Sequence, residues 1–124
     1  MVQTDISQLS AECSEWRQIL RNYRNEFHDY EKALEESCRR VHSRNEQQEV
    51  EHFQNQFDIQ LKNIHDLKQK IKVHERAIQL ENTENPEEGR YVQHEHLLNE
   101  FLNLENMLQE IRVEFKDFVN KVSC

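Results

Sequence analysis

The stretch ISQLSAECSEWRQILRNYRNEFHDYEKALEESCRRV, residues 6–41, decides the fold. If Ile6 is an a position, then Leu9, Cys13, Trp16, Leu20, Tyr23, Phe27, Tyr30, Leu34, Ser37 and Val41 occupy the following a and d positions without a slip. Spacing that alternates three and four places all of them on one stripe of an α-helix. Ser37 is the one clearly polar residue on that stripe. The pattern predicts a first helix over about residues 5–42.

The phase breaks next. Val50 resumes the pattern nine residues after Val41, where an unbroken repeat needs seven. HSRNEQQE (42–49) lies between them without an apolar residue, and Ser43-x-x-Glu46 has the form of a capping box. A turn is therefore expected at 42–46, with a second helix over about 47–81. Its seam is Val50, Phe53, Phe57, Gln60, Ile64, Leu67, Ile71, His74 and Ile78, with Leu61 covering for Gln60. The competing reading is one uninterrupted helix over 5–81 that dimerises beside the third helix. ENTENPEEG (81–89) holds the only Pro and the only Gly, and Asn85-Pro86 reads as an N-cap followed by a first helical proline. The third helix is expected over about 86–122, on the seam His94, Leu97, Phe101, Leu104, Leu108, Ile111, Phe115, Phe118 and Val122.

Three helices of matched length, each roughly 50 Å long, joined by short connections, make a single-domain, all-α, elongated up-down-up three-helix bundle with coiled-coil-like heptad packing over residues 1–124. One layer is expected to hold Tyr30, Phe57 and Phe115, another Trp16, Ile71 and Phe101. A chain of 124 residues with one Gly and one Pro has no means of making the many tight corners of a β or α/β domain. It also has no glycine-rich phosphate cradle.

EVEHFQNQF (49–57), a helix ending in His74-Glu75, and a helix opening HEHLLNEF (94–101) together resemble small uncharacterised all-helical bacterial proteins. That resemblance covers about half of the chain and implies a cytoplasmic helical bundle. It implies no chemistry.

Sixteen basic against 24 acidic residues give a net charge of −8, which disfavours nucleic acid as a partner. Lys62, Lys68, Lys70 and Lys72 are diluted by Asp58, Asp66 and Glu75 and read as a solvated face. No apolar run is long enough to span a bilayer, and the first ten residues lack the pattern of a signal peptide. The three cysteines, Cys13, Cys38 and Cys124, are odd in number and form no C-x-x-C pair. A reduced, cytoplasmic protein is expected. Cys38 and Cys124 are expected at the same end of the bundle as free thiols.

Seven histidines raise a metal hypothesis. His28, His42, His52, His65 and His96 fall at b or c positions and are expected in solvent. A di-iron carboxylate site fails, because it needs two inward Glu-x-x-His motifs and Glu49-x-x-His52 is single and faces outward. His94-x-His96 fails because helical residues two apart diverge by about 200°. His74 and His94 differ, since both occupy the seam. With Cys13 they are expected to converge near the end of the bundle that holds the N-terminus. As core residues they would need a carboxylate, a backbone group or water, with Glu12, Glu15 and Glu81 as candidate carboxylates. As ligands they would form a metal site short of a fourth donor. Cys13 is too enclosed for a nucleophile.

Apolar residues left over on the outside are Ile59, Val73 and Leu80 on the second helix and Leu98, Leu102 and Val113 on the third. They suggest a protein partner or a second copy of the chain, as in a homodimer. The reading that follows is a non-enzymatic structural or interaction bundle without a cofactor. Its alternative is a metal- or cofactor-binding bundle that uses His74, His94 and Cys13.

Overall fold

The computed structural model describes residues 6–39, 42–80 and 88–123. They form three helices: α1 (Ile6–Cys38), α2 (Arg44–Leu80) and α3 (Glu88–Ser123). The helices pack on one another as an all-α three-helix bundle. None of them is long and apolar enough to cross a membrane.

Cross-helix pairs set the directions. Arg17 meets Glu75 and Ser10 meets Gln79, so α2 runs antiparallel to α1. Tyr23 meets Glu105 and Arg112 meets Glu26, so α3 runs parallel to α1. Lys70 meets Glu100 and Lys121 meets Glu49, so α3 runs antiparallel to α2. This up-down-up order replaces the alternative of a straight helix over 5–81, in which α1 could not reach α2.

The turn is tighter than 42–46. Ser43 caps α2: its Oγ accepts from the Glu46 N–H at 3.1 Å, and its carbonyl accepts from the Gln47 N–H at 3.1 Å. The helix therefore begins at Arg44, three residues before the expected start. Residues 44–46 bury no seam side chain, so heptad spacing gave no sign of their helicity, whereas a capped backbone needs only its hydrogen bonds. α1 likewise ends at Cys38 rather than 42, and α3 is described over 88–123, so its expected start at 86 lies outside the described residues. The expected Val41 seam site, the Asn85-Pro86 cap and Cys124 lie outside the described residues.

The core is the seam. Leu9, Leu20, Phe27, Leu34, Phe57, Ile64, Ile71, Ile78, Leu108 and Phe115 are each almost wholly enclosed. The first expected layer forms, with the ring centroids of Tyr30, Phe57 and Phe115 5.0–6.1 Å apart; of the second, Trp16 stacks on Phe101 at 6.0 Å and Ile71 is buried in the same core. Ser37 and Gln60 are buried in the seam, and the Asn63 amide donates to Gln60 Oε1 at 3.1 Å. Leu61 packs against the core beside it. Burying each large apolar side chain stabilises the fold by about 1.5–3 kcal/mol.

Candidate metal centre

Three polar side chains in the seam meet near the start of α1. Cys13 comes from α1, His74 from α2 and His94 from α3, and all three are buried. Their positions follow from the repeat: Cys13 and His94 are a residues, His74 a d residue, and the antiparallel run of α2 brings them level. Cys13 Sγ, one ring nitrogen of His74 and one of His94 lie within 4.8 Å of one another. Cys13 Sγ stands 3.8 Å from His94 Nδ1, and His74 Nε2 stands 3.0 Å from the same atom.

The other nitrogen of His94 is also engaged. Its Nε2–H donates to Glu12 Oε2 at 2.8 Å. That bond leaves Nδ1 with its lone pair facing inward, toward Cys13 and His74. The Trp16 ring lies against the His94 ring at 4.6 Å between centroids and fixes its plane. Of the candidate carboxylates, Glu12 is the partner; Glu15 is exposed, and Glu81 lies outside the described residues.

Beside the cluster, Arg17 grips Glu75. Its Nε donates to Oε2 at 3.1 Å, and its Nη2 donates to Oε1 at 2.8 Å and to Oε2 at 2.7 Å. Glu75 is buried, at 8% exposure, although it lies outside the a and d positions. Heptad reading passes over it. The signal that would have found it is the facing of Arg17 and Glu75, both e residues, across an antiparallel pair.

Burial pushes the Cys13 thiol up to about 12, and the carboxylates of Glu75 and Glu12 add to the effect against the opposing charge of Arg17. In the metal-free protein Cys13 is therefore a thiol, silent as a nucleophile. A cation would reverse that balance by holding the thiolate directly. Donors bound to one ion at 2.0–2.3 Å stand about 3.3–3.8 Å apart. The observed 3.0 and 3.8 Å need a few tenths of an ångström of adjustment, and the third pair, Cys13 and His74, within 4.8 Å, has to close by up to about 1 Å.

The remaining histidines, His28, His42, His52, His65 and His96, are exposed as expected. Of the outward apolar residues, Ile59, Val73, Leu80, Leu102 and Val113 are exposed. Leu98 is half-buried and packs against the core, as an e residue of a three-helix bundle does. The exposed five do not share one face. Ile59, Val73 and Leu80 follow one row of α2 that Asp66 interrupts, while Leu102 and Val113 sit on different rows of α3.

The structure also shows a charge pattern along the outer groove between α1 and α2. Burial lowers the Lys68 pKa, and the charges of Arg24, Arg21 and Arg17 of α1 and Lys72 of α2 lower it further. Farther along the same groove stand Glu31, Glu35 and Asp58. The lysines of α2, weighed alone in the sequence, read as a diluted cluster; the arginines come from the other helix.

No protein-family model matches the chain, and neither the curated proteins nor the solved structures yield a significant match.

Proposed function

We propose that this protein is a non-enzymatic metal-binding helical bundle, with Cys13, His74 and His94 as the ligands. The observation that carries the reading is the convergence of three buried donor atoms, one from each helix, within 4.8 Å. Glu12 supports it, because a carboxylate behind a histidine is the usual way to orient a ligating ring and raise its basicity. An ion there ties all three helices together at one end of the bundle, so binding and folding are coupled. Enclosure of all three ligands argues against catalysis, which needs an open coordination position. The free thiols of Cys13 and Cys38 suit a reducing, cytoplasmic setting.

The test is elemental analysis of protein purified without an affinity tag, followed by titration with divalent and monovalent metal ions. One ion per chain, lost on His74→Ala, is expected. Failure to bind any transition metal at micromolar concentration sinks the reading.

A second reading, a structural or interaction bundle, is favoured by the split charge of the α1–α2 groove. A two-fold axis through the middle of that groove would lay the arginine- and lysine-rich half of one copy over Glu31, Glu35 and Asp58 of another. The partner in this reading is a second copy of the chain. Light scattering decides it: a mass twice 15.2 kDa at low salt that halves at high salt supports a charge-paired homodimer. A salt-independent monomer removes it.

A further inference from the structure

The donor set also constrains which ion binds, an inference that rests on the metal-binding reading above. Among the described residues, no fourth histidine, cysteine or carboxylate joins Cys13, His74 and His94. Two neighbouring carboxylates are committed elsewhere. Glu12 Oε2 accepts from the outer nitrogen of His94, and both oxygens of Glu75 accept from Arg17. Exposures of 0% for Cys13, 1% for His74 and 6% for His94 enclose the three donors within the bundle. Among the described residues the site thus offers three ligands, two imidazole nitrogens and one sulfur.

Zinc(II) is at odds with this donor set on one count: it takes four ligands in closed structural sites. Copper(I) fits it. It is soft, accepts thiolate and imidazole together, and is satisfied at low coordination number; a trigonal set of two histidines and one cysteine is characteristic of copper. We propose that Cys13, His74 and His94 form a three-coordinate site for copper(I), one ligand from each helix.

Binding balances without any redox step. Copper(I) enters, the Cys13 S–H proton leaves to solvent, and the copper–sulfur bond forms, so the charge of the site is unchanged. His94 needs no rearrangement, since its Nε2–H already donates to Glu12 and its Nδ1 faces the ion. His74 binds through Nε2, which requires its ring proton to move to Nδ1 while the ring stays neutral.

The experiment uses the full chain carrying Cys38→Ser and Cys124→Ser, so that Cys13 is the single thiol. Copper(I), supplied as its acetonitrile complex under argon, and zinc(II) are titrated separately, with bicinchoninic acid as the copper competitor. Trp16 is the sole tryptophan and lies 4.6 Å from the His94 ring, so its emission reports filling of the site. The expected result is one copper(I) per chain with quenching of Trp16. X-ray absorption should show two nitrogen neighbours and one sulfur. Cys13→Ser should weaken copper binding by at least 100-fold, and His74→Ala provides the same test if the serine variant does not fold. Stoichiometric zinc binding with four neighbours, and copper bound with any other ligand set, overturns the copper assignment and leaves the metal-binding reading standing. Binding of neither ion overturns both.

Discussion

His74 Nε2 and His94 Nδ1 stand 3.0 Å apart across the α2–α3 seam, with twenty residues of chain between them. In the metal-free protein the His74 N–H donates to the His94 lone pair, and the far side of His94 donates to Glu12. Each ring therefore answers for the other's burial. Replacing either histidine alone by leucine strands the remaining imidazole, at a cost of about 1–3 kcal/mol. Replacing both by leucine removes both polar groups and fills much the same volume, so the double variant should lose less than the sum of the singles. Urea unfolding in the presence of a chelator measures this. Additive losses would mean that the two rings do not support each other.

Arg17 and Glu75 should respond unequally. Glu75 is the more enclosed, with its side chain 11% exposed against 29% for Arg17. Arg17→Met leaves a carboxylate in the bundle without a counter-charge, at about 3–5 kcal/mol. Glu75→Gln keeps the shape, and Arg17 can turn toward water, so a smaller loss of about 1–2 kcal/mol is expected. The reverse order, read from chemical denaturation of the two variants, would contradict the burial argument.

The Cys13 thiol gives the metal-free protein a dependence on alkaline pH. Burial holds its folded-state value up at about 12, above the ordinary thiol value of 9.0. Between those values the unfolded chain gives up the proton and the folded chain keeps it. The stability linked to Cys13 is thus fully present below about pH 9 and is lost as pH rises toward 12, by at most about 1.4 kcal/mol per pH unit. Tyr30 is shifted in the same direction, chiefly by burial, and contributes a slope of its own. Urea midpoints measured from pH 8 to 10.5 should fall more steeply for the native chain than for Cys13→Ser. Parallel curves would show that the thiol ionises freely in the folded state.

Much of this molecule was legible in its heptads, because a three-helix core needs little more than an apolar residue at every a and d position. Leu9, Leu20, Phe27, Phe57, Ile64, Ile71 and Phe115 were expected in the seam, and they are buried there. Cys13, His74 and His94 could be brought together on paper for the same reason: each is a seam residue, and an up-down-up path fixes which seam residues are level. Arg17 and Glu75 escaped notice because an e residue is buried only when its partner across the groove covers it. That depends on register rather than on either residue. The start of α2 at Arg44 was missed because helix there is secured by the Ser43 cap, on a stretch with no apolar residue to announce it.

The two free cysteines described here should differ sharply toward an alkylating reagent. Cys38 is exposed near the end of α1 and Cys13 is buried in the seam. Thiolate fraction and access both favour Cys38. In a Cys124→Ser background, one cysteine should be labelled within minutes at pH 8 and a second only in denaturant, with peptide mass spectrometry placing the first label at Cys38. Equal labelling in native buffer would mean that the seam opens around Cys13 on the timescale of the reaction.

Phe57 and Phe118 are both buried phenylalanines, at 0% and 3% exposure, yet the bundle should value them differently. Phe57 contacts four other aromatic rings, those of Phe27, Tyr30, Phe53 and Phe115, at 5.1–6.1 Å between centroids. Phe118 meets the Phe53 ring at 5.3 Å, toward the end of α3. Truncating a core phenylalanine to alanine costs about 3–5 kcal/mol when the surroundings cannot close over the cavity. Around Phe57 three helices and four rings hold the walls apart, so Phe57→Ala belongs at the upper end of that range. Near the end of a helix the last turn can shift inward, so Phe118→Ala should cost at least 1 kcal/mol less. Urea unfolding with an unchanged denaturant slope gives the comparison. Equal losses would show that burial alone sets the cost and that the aromatic cluster adds nothing to it.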